Sequence, residues 1–178
     1  MSTQTIVLGG GCFWCTEAVF VKVRGVTDVE SGYSNGQTER PSYEQVCTGM
    51  TGHNEVVRLE YDPDAISLRE ILEIFFLIHD PTTLNRQGND TGTQYRSGIY
   101  CTTPDQQQVA EAMVRQLNED KAFGAPVVTE VQPLRNYWPA EDYHQDFFEK
   151  NPYQGYCMAV AAPKVAKFRK TFADRVKA

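Results

Sequence analysis

The stretch GGGCFWCTEAVF, residues 9–20, sets Cys12 between three glycines and an apolar segment, with Phe13 and Trp14 beside it and Cys15 three residues on. A thiol attacks as its thiolate, and the unpaired N–H groups of a helix N-terminus raise the thiolate fraction. The glycines leave the backbone open to a substrate, and the two rings offer an apolar wall beside the sulfur. Cys12 is therefore the expected nucleophile. The Cys-x-x-Cys spacing is also that of dithiol redox motifs, so Cys15 could attack an oxidised Cys12. A regular helix keeps residues i and i+3 as neighbours but must distort to bring two sulfurs into bonding distance. On spacing alone, Cys15 is equally a resolving thiol or a core residue.

TGHNEVV, residues 51–57, places Glu55 at the start of an alternating segment, where a low-dielectric setting would raise its pKa and make it a proton donor. RQGNDTGTQYRSG, residues 86–98, is a long polar loop of the kind that is more often functional than idle in a compact domain. The glycine run also raises a phosphate-loop reading, but neither the dinucleotide spacing nor a following Gly-Lys-Ser/Thr is present. Cys47 and Cys101 are expected in the core, as are Phe75, Phe76, Phe147 and Phe148, and His144 is expected to be a satisfied structural histidine.

Elements must hold these residues. QTIVLG, residues 4–9, reads as a short buried strand, and the glycines turn it into a helix starting near Cys12. Val26–Tyr33 is a weaker strand, and PSYEQVCTG is one or two helical turns. From Asn54 to Tyr61 the residues alternate, as in a strand with two unlike faces. Ser67 and Glu70 form a capping box for a helix over Leu68–His79. Arg96–Cys101 reads as a strand, Thr103-Pro104 with Gln106 starts a helix with Val109, Met113 and Leu117 on one face, and a further strand falls near Val127–Val131. Beyond Asp142 come a helix in DYHQDFFEK, a loop at NPYQGYC and a basic amphipathic stretch over Lys164–Lys170.

This order predicts an α/β (α+β) fold, a ferredoxin-like split βαβ two-layer sandwich with additional elements and an irregular C-terminal tail. A doubly wound parallel sheet needs stricter alternation and ranks second. One catalytic domain over 1–178 is expected, with a mobile C-terminal segment from about residue 151.

The composition narrows the setting. With 17 basic and 23 acidic residues and no long charge block, the net charge of −6 argues against a nucleic-acid binder. No apolar run approaches the roughly 20 residues that cross a bilayer, and MSTQTIVLGG lacks the basic start and long apolar segment of a signal peptide. A cytoplasmic monomer is expected, contacting no membrane. Five cysteines are an odd number in such a chain, which argues against a structural disulfide framework. A zinc module would need four ligands, and there is only one Cys-x-x-Cys pair, so no metal is expected.

GCFWCTEAVF, GYSNG followed by PSYEQVCTGMTGHNEVVRLEYDP, HDPTTLNRQGNDTGTQYRSGIY and YHQDFFEKNPYQGYC, taken in order from about Ile6 to Cys157, resemble the peptide methionine sulfoxide reductases of the A type. The resemblance implies thiol-dependent reduction of methionine S-sulfoxide, free or in peptides and proteins, in the repair of oxidised proteins. It implies no cofactor, only thioredoxin or another dithiol as reductant. It makes Cys12 the nucleophile that becomes a sulfenic acid, Glu55 the acid, and Tyr43 and Tyr95 the groups that hold the sulfoxide oxygen. Phe13 and Trp14 become the pocket for the substrate's methyl group, Asp90 part of its polar side, and Cys157 a resolving cysteine. Cys15 departs from the glycine common at that position and leaves two candidates for the resolving thiol. A general dithiol oxidoreductase, the alternative function, would use Cys12 and Cys15 and be indifferent to Glu55, Tyr43 and Tyr95.

Overall fold

In β1 (Gln4–Gly9) Ile6 and Leu8 point to one face and Val7 to the other, and this alternation, shared by the neighbouring strands, decides how the layers are built. The computed structural model describes residues 3–177; Met1, Ser2 and Ala178, the outermost residues of the expected domain, lie outside the described residues. After β1 come α1 (Phe13–Phe20), β2 (Val26–Ser34), α2 (Tyr43–Cys47), β3 (Asn54–Tyr61) and α3 (Leu68–Ile78). A small hairpin follows, β4 (Arg86–Gln87) with β5 (Asp90–Thr91), then a 3₁₀ turn over Thr93–Tyr95 and β6 (Gly98–Cys101). Then come α4 (Pro104–Glu119), β7 (Glu130–Pro133), β8 (Trp138–Pro139), a 3₁₀ turn over Asp142–His144, α5 (Phe147–Lys150), a π-helical turn over Cys157–Ala161, α6 (Ala162–Thr171) and a last 3₁₀ turn over Ala173–Arg175.

The main sheet has six strands in the order β7-β6-β1-β3-β2-β8. In its centre β3 lies antiparallel between β1 and β2, and β1 lies antiparallel between β3 and β6, so each pair joined through α1 or α3 runs parallel with one strand inserted. That is the ferredoxin-like split βαβ sandwich, extended by β7, parallel to β6, and by β8 at the other edge. α1, α3, α4 and α6 cover one face, and Ile6, Leu8, Val57, Leu59, Phe75 and Phe168 are fully buried beneath them. On the far face a smaller cluster of Val7, Val56 and Tyr100 is covered in part by Leu134 and Tyr137.

The capping boxes at Ser42 and Ser67 are formed, and the Thr103 hydroxyl accepts the Gln106 N–H. Two strand boundaries, one helix face and one whole helix differ from expectation. The strand expected over Arg96–Cys101 starts at Gly98, and the one near Val127–Val131 is shifted to Glu130–Pro133 by its pairing with β6. On α4 the inward face carries Ala110, Met113 and Leu117, while Val109 drifts outward because 3.6 residues per turn moves an i, i+4 row around the axis. DYHQDFFEK is not one helix: Asp146 takes left-handed angles, φ 56°, and splits it into the 3₁₀ turn and α5. Among the described residues no helix is long and apolar enough to cross a membrane.

Candidate active site

The turn from β1 into α1 creates the nucleophile position. A Cβ on Gly10 would lie 3.1 Å from the Phe75 ring, and Gly11 has φ 92° with Gln87 Cγ 2.6 Å from where its Cβ would stand. A side chain at Gly11 would be both strained and blocked. Cys12 follows as the extended N-cap residue of α1; its carbonyl accepts the Cys15 N–H at 3.1 Å, and its side chain caps nothing. The sulfur stays buried beside the first turn.

Glu55 stands at the start of β3 on the helix-covered face, opposite Tyr33 on β2. Its Oε1 accepts the Phe13 N–H at 3.2 Å, one of the donors that a helix N-terminus leaves unpaired. Its Oε2 is buried with no partner among the described residues. Burial pushes the carboxyl up to about 8, with the Phe13 N–H pulling it down and Asp90 pushing it further up. At neutral pH Glu55 is an acid that still holds its proton.

Burial also pushes the Cys12 thiol well above its ordinary range, joined by the charges of Glu55 and Cys15, while the Trp14 N–H pulls the other way and loses. The expected thiolate at the helix N-terminus is thus a thiol in the resting site. Tyr43, first residue of α2, and Tyr95, at the end of the 3₁₀ turn, are half-buried. Burial and then the Glu55 charge raise both phenols, so both remain donors. Asp90, on the hairpin strand β5, accepts the Tyr156 hydroxyl at 2.5 Å.

The Phe13 ring lies 5.0 Å from His144 and 6.4 Å from Tyr43, near-parallel to the latter. Trp14 stacks flat on Phe147 at 3.8 Å, meets Tyr156 edge-on at 5.9 Å, and donates its indole N–H to His144 Nδ1 at 2.9 Å. Every residue expected at the site thus lies on this one end of the sheet or in the segments folded over it. Cys15 is buried in α1 with its sulfur 3.9 Å from the Tyr156 hydroxyl, and burial pushes it up to about 11, opposed by the Lys164 charge. A charge on Cys15 pushes Cys12 up, and one on Cys157 pushes Cys15 up. Cys157 is fully buried in the π-helical turn. Cys101 is in the core as expected, whereas Cys47, at the end of α2, is exposed because the short helix turns only Val46 inward.

Comparison with known proteins settles the family. The family model for peptide methionine sulfoxide reductase matches residues 4–176. The chain belongs to the peptide methionine sulfoxide reductase family. It is 56% identical over 169 residues to the peptide methionine sulfoxide reductase MsrA of Polynucleobacter asymbioticus, covering 95% of this chain and 89% of that one. The MsrA of Trichodesmium erythraeum is 54% identical over 175 residues, covering 98% and 99%. Reduced Mxr1 from Saccharomyces cerevisiae superimposes with a TM-score of 0.82 at 36% identity, over 88% of this chain and 90% of that one. Mxr1 in complex with Trx2 gives 0.59 at 25% identity, over 82% and 85%. The chemistry of the family is thiol-dependent reduction of methionine sulfoxide.

Four residues of the reductase that sequence reasoning did not place at the site pack against the expected ones, and all fall between residues 141 and 156. Glu141 accepts the Tyr33 hydroxyl at 2.7 Å and the Tyr43 N–H at 2.8 Å, which fixes the start of α2. His144 is fully buried and only half satisfied, since Nε2 has no partner among the described residues. Burial lowers its pKa, so the neutral ring accepts at Nδ1 and carries its proton on Nε2. Phe147, expected in the core, is instead the wall on which Trp14 stacks. Tyr156 joins Asp90, Cys15 and Trp14, and the one sequence signal for it was an aromatic directly before a candidate resolving cysteine.

Proposed function

We propose that the reductase acts on methionine S-sulfoxide, free or within peptides and proteins, with Cys12 as nucleophile and Glu55 as proton donor. The methyl group sits between Phe13 and Trp14, and the sulfoxide oxygen accepts hydrogen bonds from Tyr43 and Tyr95, with Asp90 on the polar side. Glu55 gives its proton to the oxygen as the Cys12 sulfur bonds to the sulfoxide sulfur, and the resulting carboxylate takes up the proton that Cys12 loses. The oxygen passes to Cys12, methionine leaves, and a sulfenic acid remains, so sulfoxide plus thiol become thioether plus sulfenic acid with no net proton change. A second thiol then expels water to form a disulfide, and a dithiol returns two electrons and two protons. The yeast structure with Trx2 supports thioredoxin in that last role. A cytoplasmic monomer suits this repair of oxidised proteins.

The observation that carries this reading is the unpartnered Oε2 of a fully buried Glu55 at the N-terminus of the helix that begins beside Cys12. Glu55→Gln keeps the acceptor for the Phe13 N–H and removes the transferable proton. Its single-turnover methionine formation is expected to fall about 100-fold or more, while alkylation of Cys12 near pH 7 hardly changes because Glu55 is uncharged there. Parent-like turnover would remove Glu55 from the mechanism.

A further inference from the structure

Glu17 lies on α1 two residues beyond Cys15, is 2% exposed, and takes no part in the steps above. Its Oε2 accepts the Asp146 N–H at 3.1 Å, and the Phe147 N–H is also turned toward the carboxylate. Its Oε1 has no partner among the described residues, and the Ser31 hydroxyl, also without one, lies near the carboxyl group. Asp146 has φ 56° and ψ 33°, a conformation that residues other than glycine keep only when their surroundings hold it. On either side of it stand His144, which accepts the Trp14 indole N–H, and Phe147, which stacks on the same ring. The Gln145 amide ties the chain to the Ser31 backbone before this bend, and Glu17 ties it at the bend itself.

We propose that Glu17 is a positioning residue, its carboxylate clamping the Asp146 N–H from beneath and so holding Phe147 and His144 against Trp14, which sets the width of the pocket for the substrate's methyl group. This rests on reading Phe13 and Trp14 as that pocket. Burial pushes Glu17 up to about 7, opposed by the Asp146 N–H. An acceptor oxygen is present in either protonation state, so a glutamine can stand in for it.

Single-turnover kinetics on a methionine S-sulfoxide peptide separate this role from a purely structural one. Glu17→Leu should raise the half-saturating concentration about tenfold, the size of one charge-assisted hydrogen bond, with the saturating rate within about twofold of the parent. Glu17→Gln should stay close to the parent. Phe147→Ala should repeat the Glu17→Leu defect, and the double variant should be no worse than Phe147→Ala, because the clamp acts through that ring. A parent-like half-saturation for Glu17→Leu, a Glu17→Gln as weak as the leucine variant, or fully additive effects would each overturn the proposal. If Glu17→Leu does not fold, the same decision falls to Phe147→Ala, where unchanged half-saturation overturns it and a rise supports it. Trp14→Ala with unchanged half-saturation would instead contradict the pocket, and the clamp with it.

Discussion

Glu55 and Cys12 both hold protons in the resting site, which makes the acid the pH-sensitive partner. Burial raises Glu55 from its ordinary range to about 8. The saturating single-turnover rate should therefore be flat below that pH and fall toward tenfold per unit above it, and this limb should vanish in Glu55→Gln. Stability follows the same sign. A carboxyl with a raised folded-state pKa favours the fold fully below its unfolded value and loses that contribution as pH rises through about 8. Glu55→Gln should accordingly unfold at higher urea than the parent at pH 9. Residue types were the legible part of the site, since a cysteine on a glycine turn and a glutamate at a strand's start carry their chemistry locally. The proton on Glu55 was legible from its place at an apolar strand, whereas the one on Cys12 was not. A helix N-terminus stabilises a charge by about 0.3–1 kcal/mol at the surface, whereas removing a charge from water costs several kcal/mol, and the extent of burial appears only once α1 is packed against β3.

At the scale of elements, caps and alternation were written plainly in the chain. The Ser67 and Glu70 box starts α3, whose far end carries Phe75 and His79 against Gly10 of the nucleophile turn. Ser67→Ala should cost about 1 kcal/mol and lower the melting temperature by about 2–4 °C, with activity at 25 °C unchanged because the cap lies at the opposite end of α3 from that turn. A drop in activity larger than the drop in folded fraction would show that α3 controls the turn more tightly than packing requires. The break in DYHQDFFEK could not be read. Aspartate tolerates left-handed angles better than most residues but does not require them; the hydrogen bond to Glu17, about 130 residues earlier in the chain, holds it there. His144 and Phe147 were misassigned for the same reason, since their partner, Trp14, is equally distant in sequence.

Across the whole molecule, the split βαβ order was legible because each step, strand to helix to strand, is local, and short right-handed crossovers leave few sheet orders, of which β6-β1-β3-β2 is the one formed. The tail was harder: its residues find their roles only by folding back over α1. Resolution of the sulfenic acid depends on that tail. We propose that the segment from about residue 151 moves during turnover and that Cys12–Cys157 is the first disulfide. Residues 151–155 are exposed, Cys157 sits in a π-helical turn of poorer hydrogen-bond geometry, and Cys15 is fixed on α1 and pushed up to about 11. Trapped after one turnover, Cys15→Ser should lose two free thiols per methionine, while Cys157→Ser should stop at the sulfenic acid or resolve more slowly. The reverse pattern would make Cys15 the resolving thiol. The central claim, that Cys12 takes the oxygen, is separable from that question in a variant carrying both Cys15→Ser and Cys157→Ser. One turnover with methionine S-sulfoxide in the presence of a sulfenic-acid trap, followed by peptide mass mapping, should give one adduct on Cys12 per methionine formed, and neither product once Cys12→Ser is added. Methionine released with the adduct on another residue, or undiminished after Cys12→Ser, would contradict it.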